Sequence, residues 1–339
     1  MNKKKIIVQV LISLLIVAFV FSASMIFLRD KKTHLVVFHA GSLSYPIEKL
    51  SEAYEKLHPN IIIEHESAGS AASIRKITEE GRLADILFSS DYKLIDTMMV
   101  ETEPKWANWS IVFARNAIVL AYTPKSQFSS NINETNWYLY ANQSSVITAR
   151  SNPADDPCGY RTLITIKLAS FFYNDSSLWD NYVNHPTLKS PWASNEAQLV
   201  GPLQIGEIDY AFLYESMALQ YNLSYIKLND YINLANQSFN DYYGKATVYF
   251  NSLTGDIANA TGADITAKTG KAIWYGLTIP NNAPHYQEAI DFVIFVLSNE
   301  GLKIISEQAY QPVIDPPQTR DKGLLPEKLK DKVIANIEL

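Results

Sequence analysis

With Cys158 as its only cysteine, the chain of 339 residues can form no internal disulfide. No cysteine directly follows the apolar run near the N-terminus either, which excludes a lipid attached at that point. Positive charge is also scarce: 29 lysines and arginines against 35 aspartates and glutamates give a formal charge of −6. Such a balance supplies no basic stripe to hold a phosphate backbone, so nucleic acid is excluded as a partner. Neither a Walker A sequence nor a dinucleotide fingerprint occurs. His39, His58, His65, His185 and His285 lack zinc-ligand spacing. An activated nucleophile is missing as well: the conceivable pair is Cys158 with His39, and a lone cysteine inside a proline-glycine turn is structural. The chain reads as a non-enzyme, and no cofactor is implied.

What is present is an ordinary globular composition, 47% hydrophobic and 19% charged, in a chain long enough for two core-bearing units. The first thirty residues stand apart. Lys3, Lys4 and Lys5 precede an apolar run from Ile6 to Leu28, and "RDKK" follows at 29–32. About twenty apolar residues can span a bilayer and exceed the core of a signal peptide. Residues 1–32 are therefore read as a signal peptide or, preferably, a membrane anchor that leaves the body on the extracellular face. Seven sequons, at Asn108, Asn133, Asn142, Asn174, Asn222, Asn236 and Asn259, fit an exported glycoprotein, although an Asn- and Ser-rich chain also makes such triplets by chance.

Beyond the anchor, short apolar runs alternate with amphipathic stretches, the habit of an α/β protein with a largely parallel sheet. "HLVVFHA" (34–40), "IIIEHES" and "ADILFSS" (84–90) read as strands, each followed by a helix. The run "SIVFARNAIVLAYTP" (110–124) reads as one strand leaving this unit. In the second unit "SVITARS" (145–151) and "DYAFLY" (209–214) read as strands, "GYRTLITIKLASFFY" and "EAQLVGPLQIGEI" as helices. Residues 229–262 read as loops with a strand at "KATVYF", and "KAIWYGLTIP" (271–280) as the strand that carries the chain back. The expected division is lobe I, 33–122 plus 270–339, and lobe II, 123–269, with a cleft between them.

Two loops have the chemistry of an anion site. "HAGSLSYP" places Ala40, Gly41 and Ser42 between a strand and a helix, and "SAGSAAS" repeats the arrangement with Gly69 and Ser70. Backbone N–H groups and hydroxyls at a helix start favour negative charge, and loops after neighbouring parallel strands lie side by side. Each loop alone also reads as a plain turn with a helix cap. Together they suit a small oxyanion held by neutral donors.

"FHAGSLSYP", "ESAGSAASIRKI", "ADILFSSDY", "DPCGYR" and "DYAFLYESMA" occur in this order, and with them the chain from about 34 to 338 resembles the archaeal tungstate/molybdate-binding proteins. These are solute receptors of ABC transporters, related to bacterial molybdate-binding proteins. The resemblance implies a type II periplasmic-binding-protein fold, two α/β lobes closing over one oxyanion, and as partners a permease with its ATPase. Carried onto this chain, it implies Gly41, Ser42 and Ser70 as first-lobe donors. The turn Asp156-Pro157-Cys158 and the pair Tyr214 and Glu215 would come from the second lobe, with Asp156 and Glu215 as ligands of the tungsten or molybdenum centre. The protein is expected to be a monomer.

A carboxylate beside an oxyanion is repelled if the two meet only through oxygen. The objection disappears if the carboxylate binds the hexavalent centre, a hard Lewis acid suited to oxygen ligands. Sulfate and phosphate, whose central atoms are small, cannot accept this, so the acid group acts as a filter. Two alternatives stay open. Asp156 before Pro157 also reads as a helix N-cap with proline at N1. The second acid's place is also open, because Leu213 rather than Glu215 could occupy the ligand position, which would leave a single carboxylate. A receptor for sulfate, phosphate or ferric ion, and a cleft hydrolase or transferase, are the rival readings. The residues do not rank tungstate against molybdate.

Overall fold

The computed structural model describes residues 32–259, 262–336 and 338. The expected N-terminal anchor, residues 1–31 in particular, lies outside the described residues. Among the described residues no helix is long and apolar enough to cross a membrane.

Three strand and helix pairs open the fold. Strand β1 (Thr33–Ala40) runs into a single 3₁₀ turn at Gly41–Leu43 and then helix α1 (Ser44–Leu57). Strand β2 (Ile61–Ala68) leads through Gly69 into helix α2 (Ser70–Thr78), and β3 (Ile86–Ser89) follows. In both helices the apolar side chains recur at helical spacing, Ile47, Leu50 and Tyr54 in α1, Ala71, Ile74 and Ile77 in α2, and they form the buried face.

The run at 110–124 is not the one strand expected. It breaks at Asn116 and Ala117 into β4 (Ile111–Arg115) and β5 (Ile118–Tyr122), which belong to different sheets. The apolar pattern is continuous because both halves are buried, and the polar Asn116 that marks the crossing is itself buried. Strand β6 is only Thr148–Ala149; helix α3 spans Pro157–Phe172 and β7 spans Tyr210–Tyr214. Helix α4 (Glu215–Gln220) and strand β8 (Ser224–Lys227) follow. The loop-rich segment after 229 contains β9 (Thr247–Asn251), β10 (Ile257–Ala258) and β11 (Ile265–Thr269). The chain returns in β12 (Trp274–Thr278), then passes through helix α5 (Tyr286–Val296) to β13 (Val313–Thr319) and β14 (Ile334–Ala335).

The strands form a seven-stranded sheet in the order β14-β13-β4-β12-β3-β1-β2, a four-stranded sheet β6-β7-β5-β8, and a three-stranded sheet β10-β9-β11. Among the described strands, the parallel pairs are β1 with β2 and β3, β6 with β7, and β13 with β14. The sheets are therefore mixed rather than largely parallel. The strands that cross between sheets, β4, β5 and β12, run antiparallel to their neighbours. The carboxyl ends of β1 and β2 lie side by side, with Ala40 paired to Ala68, so the two Gly-Ser loops emerge at one edge. The sequon asparagines are exposed except Asn142, which is half-buried.

Candidate functional site

The two Gly-Ser loops press against two turns of the polypeptide that carries the four-stranded sheet. A Cβ placed on Gly41 would lie 2.9 Å from Glu196 Oε2 and 3.2 Å from Asn195 Oδ1. A Cβ on Gly69 would lie 2.4 Å from the Asp155 carbonyl oxygen and 3.1 Å from Asp156 Cβ. A Cβ on Gly69 would meet backbone that cannot yield, whereas one on Gly41 would have to displace the Glu196 carboxylate, so glycine lets both surfaces approach.

The Asp155 carbonyl accepts hydrogen bonds from the amides of Ala71 (2.9 Å) and Ala72 (3.3 Å), the first turn of α2. Its carboxylate pairs with the Arg75 guanidinium, which also donates to the Ala154 carbonyl at 3.2 Å. Asp155 is thus a latch between the turn before α3 and the first turn of α2.

Asp156 is fully buried and caps α3 with Pro157 directly after it, as the sequence pattern suggests: its Oδ1 accepts from Cys158 N at 3.2 Å. Capping occupies only part of the carboxyl. Oδ2 accepts from the backbone N–H of Glu196 at 3.1 Å. Burial first, and then the Glu196 carboxyl beside it, push the Asp156 pKa well above the ordinary carboxylate value. Glu196 is itself fully buried; its Oε1 accepts from Ser42 N at 2.8 Å and its Oε2 has no hydrogen-bond partner.

Several hydroxyls surround this acid pair. Ser42 Oγ is 3.0 Å from Tyr275 Oη, which accepts from Asn116 Nδ2 at 3.1 Å. Either hydroxyl of this pair can donate to the other, and when the phenol donates, the serine proton is left for a guest. Tyr214, fully buried at the end of β7, accepts from Arg161 at 2.8 Å and so keeps its own proton. Burial, before any charge effect, raises the pKa of that phenol and keeps it protonated. Ser70 Oγ accepts from Ser90 N at 3.0 Å and lies 3.1 Å from Ser90 Oγ. Arg161 is buried, donates to the Ser90 carbonyl at 2.7 Å and lies 3.6 Å from Asp91, so it ties α3 to the loop after β3.

The structure therefore gathers Gly41, Ser42, Ser70, Asp156, Pro157 and Cys158 at the seam, with Tyr214 joined to them through Arg161. Cys158 is buried and its thiol faces the Phe212 carbonyl at 3.6 Å, consistent with a structural role. Glu215 is half-buried and its carboxylate is 3.4 Å from the Tyr225 hydroxyl; no contact joins it to Asp156. Leu213 is wholly buried in the apolar core. The residues that sequence reasoning passed over are Glu196, Arg161, Tyr275 and Asn116. The "SNEAQL" stretch gave a signal only for Asn195, which caps its short helix by accepting from the amides of Ala197 and Gln198. A cavity of about 380 Å³ lies nearby, lined by Asp91, Lys93, Arg161, Lys268, Lys271 and Trp274 among others, but includes neither acid of the buried pair.

The mixed α/β architecture, with two sheets meeting at a buried polar seam, has the fold of the periplasmic binding proteins. The fold matches the periplasmic molybdate-binding protein of Azotobacter vinelandii with a TM-score of 0.56 at 14% identity, covering 83% of this chain and 100% of that one. It matches the sulfate-binding protein SubI of Mycobacterium tuberculosis equally, with a TM-score of 0.56 at 13% identity over 84% and 88% of the two chains. More particularly, the chain belongs to the bacterial extracellular solute-binding protein family, whose model matches residues 35–311. The family consists of binding components of transporters, not of enzymes. Among relatives, the chain is 33% identical over 329 residues to the molybdate/tungstate-binding protein WtpA of Thermococcus kodakarensis, covering 90% of this chain and 88% of that protein. It is 38% identical over 334 residues to a solute-binding protein of Methanococcus maripaludis strain S2, covering 88% and 92%. The similarity to the archaeal tungstate/molybdate receptors read from the sequence is thus present along nearly the whole chain.

Proposed function

We propose that this protein is the extracellular receptor of an ABC transporter and that it captures tungstate or molybdate at the seam between its two halves, for delivery to a permease and its ATPase. In this reading Gly41, Ser42 and Ser70 cradle the oxo groups, Tyr214 donates from the opposite side, and Asp156 gives a carboxylate oxygen to the hexavalent centre. The observation that carries it is a fully buried carboxyl at Asp156 in a seam that also holds the hydroxyls of Ser42 and, through Arg161, Tyr214. Neutral donors suit the oxygens of an anion, and a buried acid suits only an electron-poor atom at its centre. The 33% identity to a protein named for molybdate and tungstate supports the same ligand class.

Closure works by differential affinity. The anion gains contacts from both halves only when 33–122 plus 270–339 meets 123–269, so the closed state is favoured by as much as those contacts are worth. Residues 1–32 tether the monomer at the extracellular face. Calorimetric titration of the purified protein with tungstate, molybdate, sulfate and phosphate tests the reading. Tight binding of the first two with sulfate and phosphate far weaker is expected. Sulfate binding as tight as tungstate rejects the carboxylate filter, and tight ferric binding alone rejects the oxyanion altogether.

A further inference from the structure

We propose that the cavity of about 380 Å³ beside the seam is a second anion site, which takes a small organic molecule with two or more carboxylate or phosphate groups and bridges the seven-stranded sheet to the elements facing it. It is separate from the proposed oxyanion site: Ser42, Ser70, Asp156 and Glu196 are all absent from its walls.

Four cations, Lys93, Arg161, Lys268 and Lys271, line this cavity against two acids, Asp91 and Glu338. Asp91 is already engaged: its carboxylate accepts from the Tyr160 hydroxyl and from Lys93 N, and lies 3.6 Å from Arg161. Lys93 has Asp96 at 3.6 Å. Among the described residues Lys268 and Lys271 make no ion pair, although Lys268 is half-buried, with Nζ 5.1 Å from the centre of the Tyr160 ring. Burial is the main cause that lowers the pKa of Lys268 and of Lys93, against the pull of Asp91 and Asp96. Repulsion adds to it, from Arg161 on Lys268 and from Arg320 and Lys271 on Lys93. A solvated basic face spreads its lysines outward, whereas these cations converge from the turn after β3, from α3 and from the chain around β11 onto one concavity. Like charges around a partly desolvated space repel, and an anion between them removes that cost. The volume falls in the range of organic-ligand pockets, about 300–1,000 Å³, and a single tetrahedral anion would leave most of it unfilled. Tyr92 and Trp274, with ring centres 6.2 Å apart, supply an aromatic wall for a carbon skeleton.

Trp274 lies in the seven-stranded sheet and Lys93 in the turn after β3, while Arg161 and Lys268 belong to α3 and β11, outside that sheet. An anion held from both sides favours their approach. On the oxyanion reading above, tungstate does the same, and two ligands that favour one state strengthen each other by equal factors. Arg161 is the physical link, because it lines the cavity and also donates to the Tyr214 hydroxyl and the Ser90 carbonyl.

The full-length protein is titrated calorimetrically with citrate and with pyrophosphate at about 0.15 M salt, with acetate as the monovalent control, before and after saturation with tungstate. The same titrations are run on Lys268→Gln/Lys271→Gln, with its fold checked by circular dichroism, and on Lys271→Gln alone, a change at an exposed position. At least one polyanion is expected to bind a single site with Kd below about 1 mM, acetate not to bind, and the double variant to weaken the polyanion at least about tenfold. Tungstate affinity of the double variant without polyanion should equal that of wild type, and in wild type the bound polyanion should tighten tungstate a few-fold. Binding of citrate alone assigns carboxylate chemistry and of pyrophosphate alone phosphate chemistry; either upholds the site. Binding of neither, an unchanged polyanion affinity in the double variant, or displacement of the polyanion by tungstate overturns it. Polyanion binding without effect on tungstate affinity overturns the bridging role. If the wild type binds a polyanion at these lysines but no tungstate, the second site stands and the oxyanion reading falls.

Discussion

Asp156 Oδ2 accepts a hydrogen bond from the backbone N–H of Glu196 at 3.1 Å, which ties the turn before α3 to the turn after Ala193 and sets two carboxyls side by side in a buried seam. A carboxyl whose pKa is raised by folding stabilises the protein below its unfolded value, and that stability is lost as pH rises through the folded value. At neutral pH the ligand-free protein therefore bears a cost at Asp156. Asp156→Asn removes the ionisation and its cost, but its NH2 must replace the oxygen that accepts from either Cys158 N–H or Glu196 N–H. The variant is expected to melt within a few degrees of wild type without ligand and to show no rise on adding tungstate. Thermal melts with and without tungstate check both halves. A variant that melts lower yet still binds would leave Asp156 as a helix cap only.

Gly69→Ala should act on closure rather than on folding. The added carbon would sit 2.4 Å from a main-chain oxygen, Asp155 O, on the other half of the molecule, and a backbone atom cannot step aside as a side-chain tip can. Tungstate affinity is expected to fall by at least about tenfold, or roughly 1.4 kcal/mol, with the circular dichroism spectrum preserved. Calorimetry gives the answer directly, and wild-type affinity would show that the halves need not approach as closely as they do here.

Arg75→Gln probes the latch in another way. Its partner Asp155 and the guanidinium are each only about a quarter exposed (25% and 29%), so the pair exceeds an ordinary surface ion pair but remains modest, about 1 kcal/mol. Since Arg75 touches the opposite turn and not the anion, tungstate and molybdate should weaken alike, by a few-fold, with faster release. Stopped-flow dissociation of both anions measures this. A change in the ratio between them would mean that Arg75 takes part in selection.

Acid should destabilise the protein through His39. The ring is fully buried at the end of β1, donates to the Ala40 carbonyl at 2.8 Å and lies 3.1 Å from His65; burial lowers its pKa from 6.5 to about 4. A histidine held neutral by folding contributes stability that is present above about 6.5 and lost as pH falls toward 4. A fall from 6.5 to about 4 corresponds to roughly 3 kcal/mol. Urea melts between pH 7.5 and 4.5 should show this decline, and His39→Gln should flatten it. An equally steep decline in the variant would assign the acid sensitivity elsewhere.

The parts of this fold that were legible in the sequence are those where period and punctuation agree. The change from the short apolar run in "HLVVFHA" to helical spacing in "PIEKLSEAYEKL", across a Gly-Ser pair, placed β1, its turn and α1 within a few residues. Asp156 before Pro157 announced the start of α3. Three features were hidden for physical reasons. Strand direction leaves no mark on an apolar pattern, so the mixed sheets read as parallel. Prolines at 316 and 317 argue against a strand, yet β13 accommodates them because its pairing with β4 is interrupted between Val313 and Gln318. Glu196 at the start of a helix looks like a solvated first-turn acid, and nothing in its neighbours tells that this turn faces inward.

Cys158 has one last implication. As the single thiol of the chain it is sealed in the first turn of α3, one residue past Pro157, where burial and the adjacent acids keep it protonated and unreactive. A thiol-directed dye can attach only to molecules in which that turn has come away, so the rate of labelling is a built-in clock for how often the receptor breathes, readable without any engineered probe.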